Sequence, residues 1–324
     1  HKSKHSGRMH GCGHDGHTVM LLAAARYLAQ NKNFDGTVQF IFQPAEEANT
    51  AGSGAKAMIE DGLFERFPVD SVFAMHNLPG LKVGAIATRP GPILASMDLF
   101  EVTIKGQGTH GAFPHTGIDP LVIGAQMLMA WQTIVSRNIN PQDAAVISAT
   151  TITAGDGWNV IPETATIRGS IRTLSPTVQQ RVHDRFHTLT QQLAKAFNAE
   201  VSIDYQRAVP VAINDETQTA LACEVAVDVV GEDNVVNDAS ALMGSDDFAY
   251  MLAEKPGCYL WIGNSHPAEA EETENEYKAA IDLVFGKLGV NNPCMVHEPT
   301  YDFNDDLLPI GATVFVRLAE RVLR

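Results

Sequence analysis

The 324-residue sequence has no apolar run approaching the ~20 residues that span a bilayer. No stretch of it joins a charged start to an apolar centre, so a secretory leader is not expected. Positive charge is scarce: 23 Lys and Arg stand against 38 Asp and Glu, a net charge of −15. That excludes nucleic acid as a main partner, because phosphate binding needs a basic face. The four cysteines, Cys12, Cys223, Cys258 and Cys294, are far apart. So few in so long a chain exclude a disulfide framework and point to a reducing, cytoplasmic setting. No internal repeat is visible. What the chain does have is a 45% hydrophobic content, ample for real cores, and a length that favours about two domains.

Chemistry is concentrated in two short runs. Gly11-Cys12-Gly13-His14-Asp15-Gly16-His17 offers a thiol, an imidazole and a carboxylate within four residues. Gln43-Pro44-Ala45-Glu46-Glu47 places two adjacent carboxylates directly after the apolar stretch Thr37–Phe42, which reads as a buried strand. Together they supply the donors that a divalent transition metal prefers, with one carboxylate to spare. A spare carboxylate beside a metal-activated water is the requirement of hydrolysis. Candidate ligands are Cys12, His14, Glu47, His76 and His297, each at an expected strand end or turn. Cys12 leads into the N-terminus of a helix, which favours a thiolate. Asp15 is a candidate for orienting an imidazole. His5, His10, His17 and His183 are not taken as ligands.

Patterning divides the chain. Up to Pro92 it reads helix (Thr18–Ala29), strand (Thr37–Phe42), helix (Gly52–Asp61) and strand (Ser71–Met75), an α/β arrangement with polar residues at strand ends. From Ser96 the two-residue alternation of half-exposed strands takes over. The order becomes strand, helix (Asp119–Arg137), two strands (Ala145–Ala154, Ala165–Thr173), helix (Thr177–Asn198) and strand (Glu200–Arg207). From Pro210 the α/β texture returns, with a helix at Glu216–Val230, a strand at Cys258–Ile262 and a last helix from Leu308. The expected division is residues 1–92 and 207–324 as one domain, with 93–206 as an inserted α+β domain.

The runs GCGHDGH, FQPAEE, MHN, GTHGAFPH, NVIPE, GSIRTLS and HEPTYDFND occur in this order. Taken jointly they resemble the M20 metallopeptidase family. The nearest branch is its amidohydrolase subfamily, which holds hippurate hydrolases, N-acyl-amino-acid amidohydrolases and auxin-conjugate hydrolases. The resemblance implies an α/β, aminopeptidase-type zinc-hydrolase catalytic domain. Into it is inserted an α+β, ferredoxin-like lid that serves dimerisation. It assigns Cys12, His14, Glu47, His76 and His297 to one or two divalent ions, zinc first, with manganese, cobalt or nickel as alternatives. It makes Glu46 the general base and acid. It places His110 near the scissile carbonyl, often in the partner subunit's site, and Asn159 and Arg172 on the substrate's α-carboxylate. The implied reaction is metal-dependent hydrolysis of the amide bond of a small N-acyl or N-aroyl amino acid by a homodimer. It needs neither nucleic acid nor membrane.

Three features depart from the family pattern. The chain opens on His1-Lys2-Ser3-Lys4-His5, almost on top of its metal motif, so upstream strands and an acidic Asp-Met-Asp stretch are expected to be missing. Asp246-Asp247-Phe248 stands where the family has Glu-Asp-Phe, and Asp246 is left out of the catalytic set. The stretch from Asn264 to Cys294 is longer than expected and carries an acidic run and a helix from Glu276 to Lys287. Two other readings compete: a carboxypeptidase or dipeptidase of the same family, and a catalytically inactive metal-binding homologue.

Overall fold

A computed structural model describes residues 3–48, 53–266, 284–290 and 295–324. The expected helix from Glu276 lies largely outside those residues, as do the acidic run before it and Cys294. In chain order the first part holds α1 (His14–Gln30), α2 (Gly54–Glu60), α3 (Leu63–Arg66), β1 (Val72–Lys82), β2 (Ile86–Ala87) and β3 (Gly91–Leu94). The middle holds β4 (Met97–Lys105), β5 (Thr109–His110), α4 (Pro120–Asn138), β6 (Ala145–Ala154), β7 (Val160–Ile161), β8 (Thr164–Thr173), α5 (Pro176–Ala196) and β9 (Glu200–Val209). The last part holds β10 (Ala212–Asn214), α6 (Glu216–Val230), β11 (Val235–Val236), α7 (Ala249–Glu254), β12 (Gly257–Ser265) and α8 (Leu307–Val322).

Local chemistry sets most of these limits. Asp119, Ser175 and Asp215 cap α4, α5 and α6 by accepting backbone N–H groups of the first turn. Pro120 and Pro176 occupy first helical positions, where the missing N–H costs nothing. Gly231 follows α6 with φ 82, a conformation that ends the helix without strain.

Residues from the two ends of the chain build one mixed sheet, in the order β1-β12-β2-β11. β1 and β12 run parallel, with His76 opposite Trp261 and Asn77 opposite Ile262. β12 is buried along its whole length, as a central strand covered on both faces must be. α1 and α8 pack together, and Gly311 lies so close that a Cβ there would stand 2.0 Å from the Met20 sulfur.

The middle of the chain forms a second sheet in the order β6-β8-β4-β9, antiparallel throughout, with α4 and α5 packed on it. This strand order and helix placement give the ferredoxin-like arrangement implied by the resemblance. Its core is aromatic: Trp131 and Phe186 stack at 4.7 Å, and Phe100 meets them at 5.3 and 4.8 Å. The indole N–H of Trp131 donates to the Thr190 hydroxyl at 2.9 Å, so the buried ring leaves no polar atom unpaired. β3 and β10 pair antiparallel where the chain enters and leaves this unit, with Leu94 opposite Ala212 and Asn214 opposite Gly91. Among the described residues no helix is long and apolar enough to cross a membrane.

Two sequence expectations fail here. Thr37–Phe42 is not a strand. Its β-branched and aromatic residues favour an extended chain, but a strand also needs a partner's hydrogen bonds. Among the described residues β1 pairs with β12 alone. A cavity of about 960 Å³ is lined by residues 37–43 and by Val72–His76 of β1, with Leu21, Phe248 and Leu323 on other sides. The second correction concerns β1 itself, which runs on to Lys82 rather than stopping at Met75. His76 and Asn77 therefore sit within a paired strand, not beyond its end.

Candidate metal centre

Four segments converge at the ligand end of the mixed sheet. The turn before α1 supplies Cys12, and His14 opens the helix itself. A 3-10 turn, Glu46–Ala48, supplies the paired carboxylates. β1 supplies His76, and the stretch before α8 supplies His297. The backbone N–H of His297 donates to the Gly11 carbonyl at 2.5 Å, tying the last segment to the first. His297 and Ala45 both adopt positive φ, 70 and 54, so the ligand loops carry local strain.

The donor atoms form overlapping triads: Cys12 with His14 and His76, Cys12 with Glu47 and His297, and His14 with Glu46 and Glu47. Within each triad the atoms lie within 4.8 Å of one another. Cys12 Sγ is 3.4 Å from His76 Nε2, His297 Nε2 is 3.0 Å from Glu47 Oε1, and His14 Nε2 is 3.8 Å from Glu46 Oε2. Tetrahedral coordination at about 2.0–2.3 Å places neighbouring donors about 3.3–3.8 Å apart. The 3.4 Å separation of Cys12 Sγ and His76 Nε2 falls within that range, the 3.0 Å separation of His297 and Glu47 falls just below it, and the mixture of sulfur, imidazole and carboxylate suits a transition metal. All five residues expected to be ligands are brought together.

Burial and mutual charge shift the titration of three groups at this centre. Glu46 is pushed up to about 8 by burial and by the charges of Asp246, Glu47 and Asp247. His76 is lowered to about 4, chiefly by burial. Burial, with Glu47 and Glu46, drives the Cys12 thiol far above the ordinary thiol range. The helix N-terminus alone does not make Cys12 a thiolate. Desolvation and two carboxylates outweigh it, and a metal charge is needed to reverse the balance.

Sequence reasoning missed part of the surroundings. His17 stands 4.5 Å from His76 and 5.5 Å from His14, ring to ring, inside the imidazole cluster. Its position one helical turn after His14 was the available signal. Asp15 faces His10 at 4.0 Å on the surface, so it does not orient a ligand imidazole. That task falls to the Asn77 carbonyl, 2.6 Å from His76 Nδ1. Asp247 is almost wholly buried; it accepts from the Gln43 amide and, at 2.9 Å, from the Ala55 N–H, pinning both ends of the Glu46–Glu47 segment.

The three residues expected from the inserted unit fall in two places. His110 is exposed in β5, which pairs with β7, and the Gly111 N–H donates to the Asn159 carbonyl at 2.7 Å. His110 and Asn159 are thus neighbours. Arg172 is elsewhere, donating to the Met243 carbonyl at 3.0 Å and to Ser245 Oγ at 3.4 Å, beside Asp246. Thr164 to Arg172 is eight steps of β8, about 26 Å at ~3.3 Å per residue. Within one chain, His110 and Asn159 are off one end of that strand and Arg172 is near the other.

This geometry agrees with what the chain is similar to. Residues 1–284 match the model of Peptidase family M20/M25/M40. The chain belongs to that family. It is 40% identical over 273 residues to the N-acetyl-L-cysteine deacetylase of Bacillus subtilis, covering 82% of this chain and 64% of that protein. It is 36% identical over 324 residues to the hippurate hydrolase of Campylobacter jejuni, covering 100% of this chain and 77% of that one. Among solved structures it superposes on the Bacillus subtilis YXEP protein, described as a dinuclear metal-binding peptidase from the M20 family. The TM-score is 0.75 at 31% identity, over 99% of this chain and 75% of that one.

Proposed function

We propose that this chain hydrolyses the amide bond of small N-acyl or N-aroyl amino acids, as the activities of its relatives suggest. The observation that carries this reading is the pair of three-donor clusters sharing Cys12, with Glu46 beside His14 yet not needed to complete either. Cys12, His14 and His76 would hold one divalent ion, and Cys12, Glu47 and His297 a second. Zinc suits the donors best, while manganese, cobalt and nickel accept the same set. When bound, the ions supply Lewis acidity that brings the pKa of water towards about 7. Glu46 takes the proton of the attacking water and returns it to the amide nitrogen as the C–N bond breaks.

Residues 1–92 and 207–324 would form the catalytic domain and residues 93–206 the lid. The separate cores and the β3–β10 ladder support that division. Arg172 suits an α-carboxylate through its two-pronged donors. His110 and Asn159 are too far along β8 to join Arg172 within one chain, which favours a homodimer in which they reach the other copy's site. Exposed Trp158 (106%) and Met129 (72%), with Val122 and Ile152, mark the lid surface available for that contact. Cys12, Cys223 and Cys258 are free, in keeping with a reducing cytoplasm.

The test is release of amino acid from hippurate and N-acetyl amino acids by metal-reconstituted protein, with EDTA controls. EDTA-sensitive release supports the reading. Glu46→Gln should lower turnover about 10²–10⁴-fold and leave metal content unchanged. Cleavage of dipeptides alone would transfer the chain to the peptidase branch. Metal binding without turnover would favour the inactive homologue.

A further inference from the structure

Asn77 makes no use of its side chain in the reaction proposed above, yet it is completely buried, with a polar neighbour at each of its polar groups. Its backbone carbonyl lies 2.6 Å from His76 Nδ1. A carbonyl only accepts, so Nδ1 carries the proton and Nε2 keeps its lone pair towards Cys12 Sγ. His17 Nε2 lies 2.7 Å from its Oδ1 and 3.0 Å from its backbone N; that nitrogen donates to the oxygen in one tautomer and accepts from the N–H in the other, so it serves one of the two contacts at a time. Its Nδ2 donates to the Tyr301 hydroxyl at 2.7 Å. His17 is one helical turn beyond His14, and Tyr301 is four residues beyond His297. One amide therefore touches all three chain segments that carry the thiol and imidazole donors.

The backbone at Gly13 shows how closely these parts fit. Gly13 has φ 93, and a Cβ there would stand 2.3 Å from Asn77 Oδ1 and 2.5 Å from the Tyr301 hydroxyl. The ligand turn of Cys12 and His14 rests directly on the Asn77–Tyr301 pair, leaving room only for glycine. Asp15, the nearest carboxylate in sequence, faces away to His10.

We propose that Asn77, gripped by His17 and Tyr301, is the positioning residue of the metal centre. It fixes His76 in its metal-facing tautomer and sets Cys12 and His297 against it. Asn77 touches neither substrate nor the transferred proton, so its contribution is to the retention and geometry of the ions. This inference rests on the metal-centre reading above, and its test has to separate the two.

The experiment is titration of the metal-free full chain with Co²⁺, read by the visible d–d bands and the near-ultraviolet thiolate-to-cobalt band, alongside melting of the metal-free proteins. Wild type should bind Co²⁺ with a thiolate band. Tyr301→Phe removes one hydroxyl and keeps the ring. It should bind Co²⁺ about 10–100-fold more weakly, with shifted d–d bands, and melt like wild type when metal-free. Asn77→Ala should lose more, and His17→Gln supplies a third variant if Asn77→Ala fails to fold. Wild-type affinity and spectra in Tyr301→Phe and His17→Gln would overturn the proposal. Weaker binding matched by an equal loss of metal-free stability would also overturn it, reducing the network to ordinary core packing. No Co²⁺ binding by wild type would remove the metal-centre reading and this inference together.

Discussion

The two sheets of this molecule meet opposite problems at their interfaces with the rest of the chain. The antiparallel sheet lays Phe100, Trp131 and Phe186 against one another at 4.7–5.3 Å, with the indole N–H satisfied. The mixed sheet buries Glu46 beside Asp246, Glu47 and Asp247, and burial first, then those charges, raises the Glu46 pKa to about 8. The first arrangement is stable by apolar burial alone. The second keeps like charges together in a desolvated setting, where bound cations would offset their repulsion and desolvation. Robust packing and clustered titratable groups fall in different halves, and the half that packs well leaves His110 and Asn159, the residues proposed above to act at the partner's site, on an exposed rim.

This division can be broken from the packed side first. Trp131→Ala should cost about 3–5 kcal/mol of stability in the antiparallel unit, leaving Co²⁺ binding by the other half intact. Denaturant unfolding followed by cobalt absorbance separates the two effects, and simultaneous loss would show that the halves unfold as one. Next comes His110→Ala, expected to lower turnover by roughly 3 kcal/mol of transition-state stabilisation. Mixing it with Glu46→Ala subunits should restore up to about a quarter of wild-type activity, one intact site in half of the dimers. No recovery would confine each site to its own chain.

Metal removal sharpens the contrast in the other direction. At metal concentrations about 100-fold above Kd, bound ions stabilise by about 2.7 kcal/mol, so EDTA should lower the melting of the mixed-sheet half and leave the antiparallel half unmoved. Calorimetry with and without EDTA reads both transitions. The smallest effect is expected at Asp98, a fully buried carboxylate that accepts from Gln179 and Tyr205 at 2.7 and 2.6 Å. Burial raises its pKa above the ordinary value. Its contribution to stability is complete below the unfolded-state pKa and is lost as pH rises through the raised folded-state pKa. Asp98→Asn should flatten that part of the curve of melting temperature against pH, and an unchanged slope would assign it to other groups.

Legibility in the sequence follows the range of the forces involved. α4, α5 and α6 were readable because caps and prolines act within a few residues, and β6 and β9 because alternation is local. β6 matches its expected span residue for residue. Thr37–Phe42 misled for the complementary reason, since strand propensity is realised only against a partner. The extension of β1 to Lys82 depends on β12, some 180 residues later. At the site, residue types singled out the five expected donors because few combinations suit a metal, and the fold gathers them into clusters around Cys12; the division of roles between Glu46 and Glu47 came from the family resemblance. The Asn77 network was hidden: its partners lie 60 and 224 residues away, and an Asn, a His and a Tyr apart carry no pattern. The thiol of Cys12 was misjudged because a helix terminus is visible in sequence, while two carboxylates folded against it are not.

The β3–β10 ladder carries a practical consequence for anyone dissecting this protein. Leu94 stands opposite Ala212, so the two crossings between the mixed-sheet half and the antiparallel unit lie side by side. A few residues of Gly-Ser linker bridge so short a gap, which makes the antiparallel unit a detachable cassette and lets each half be expressed and melted by itself.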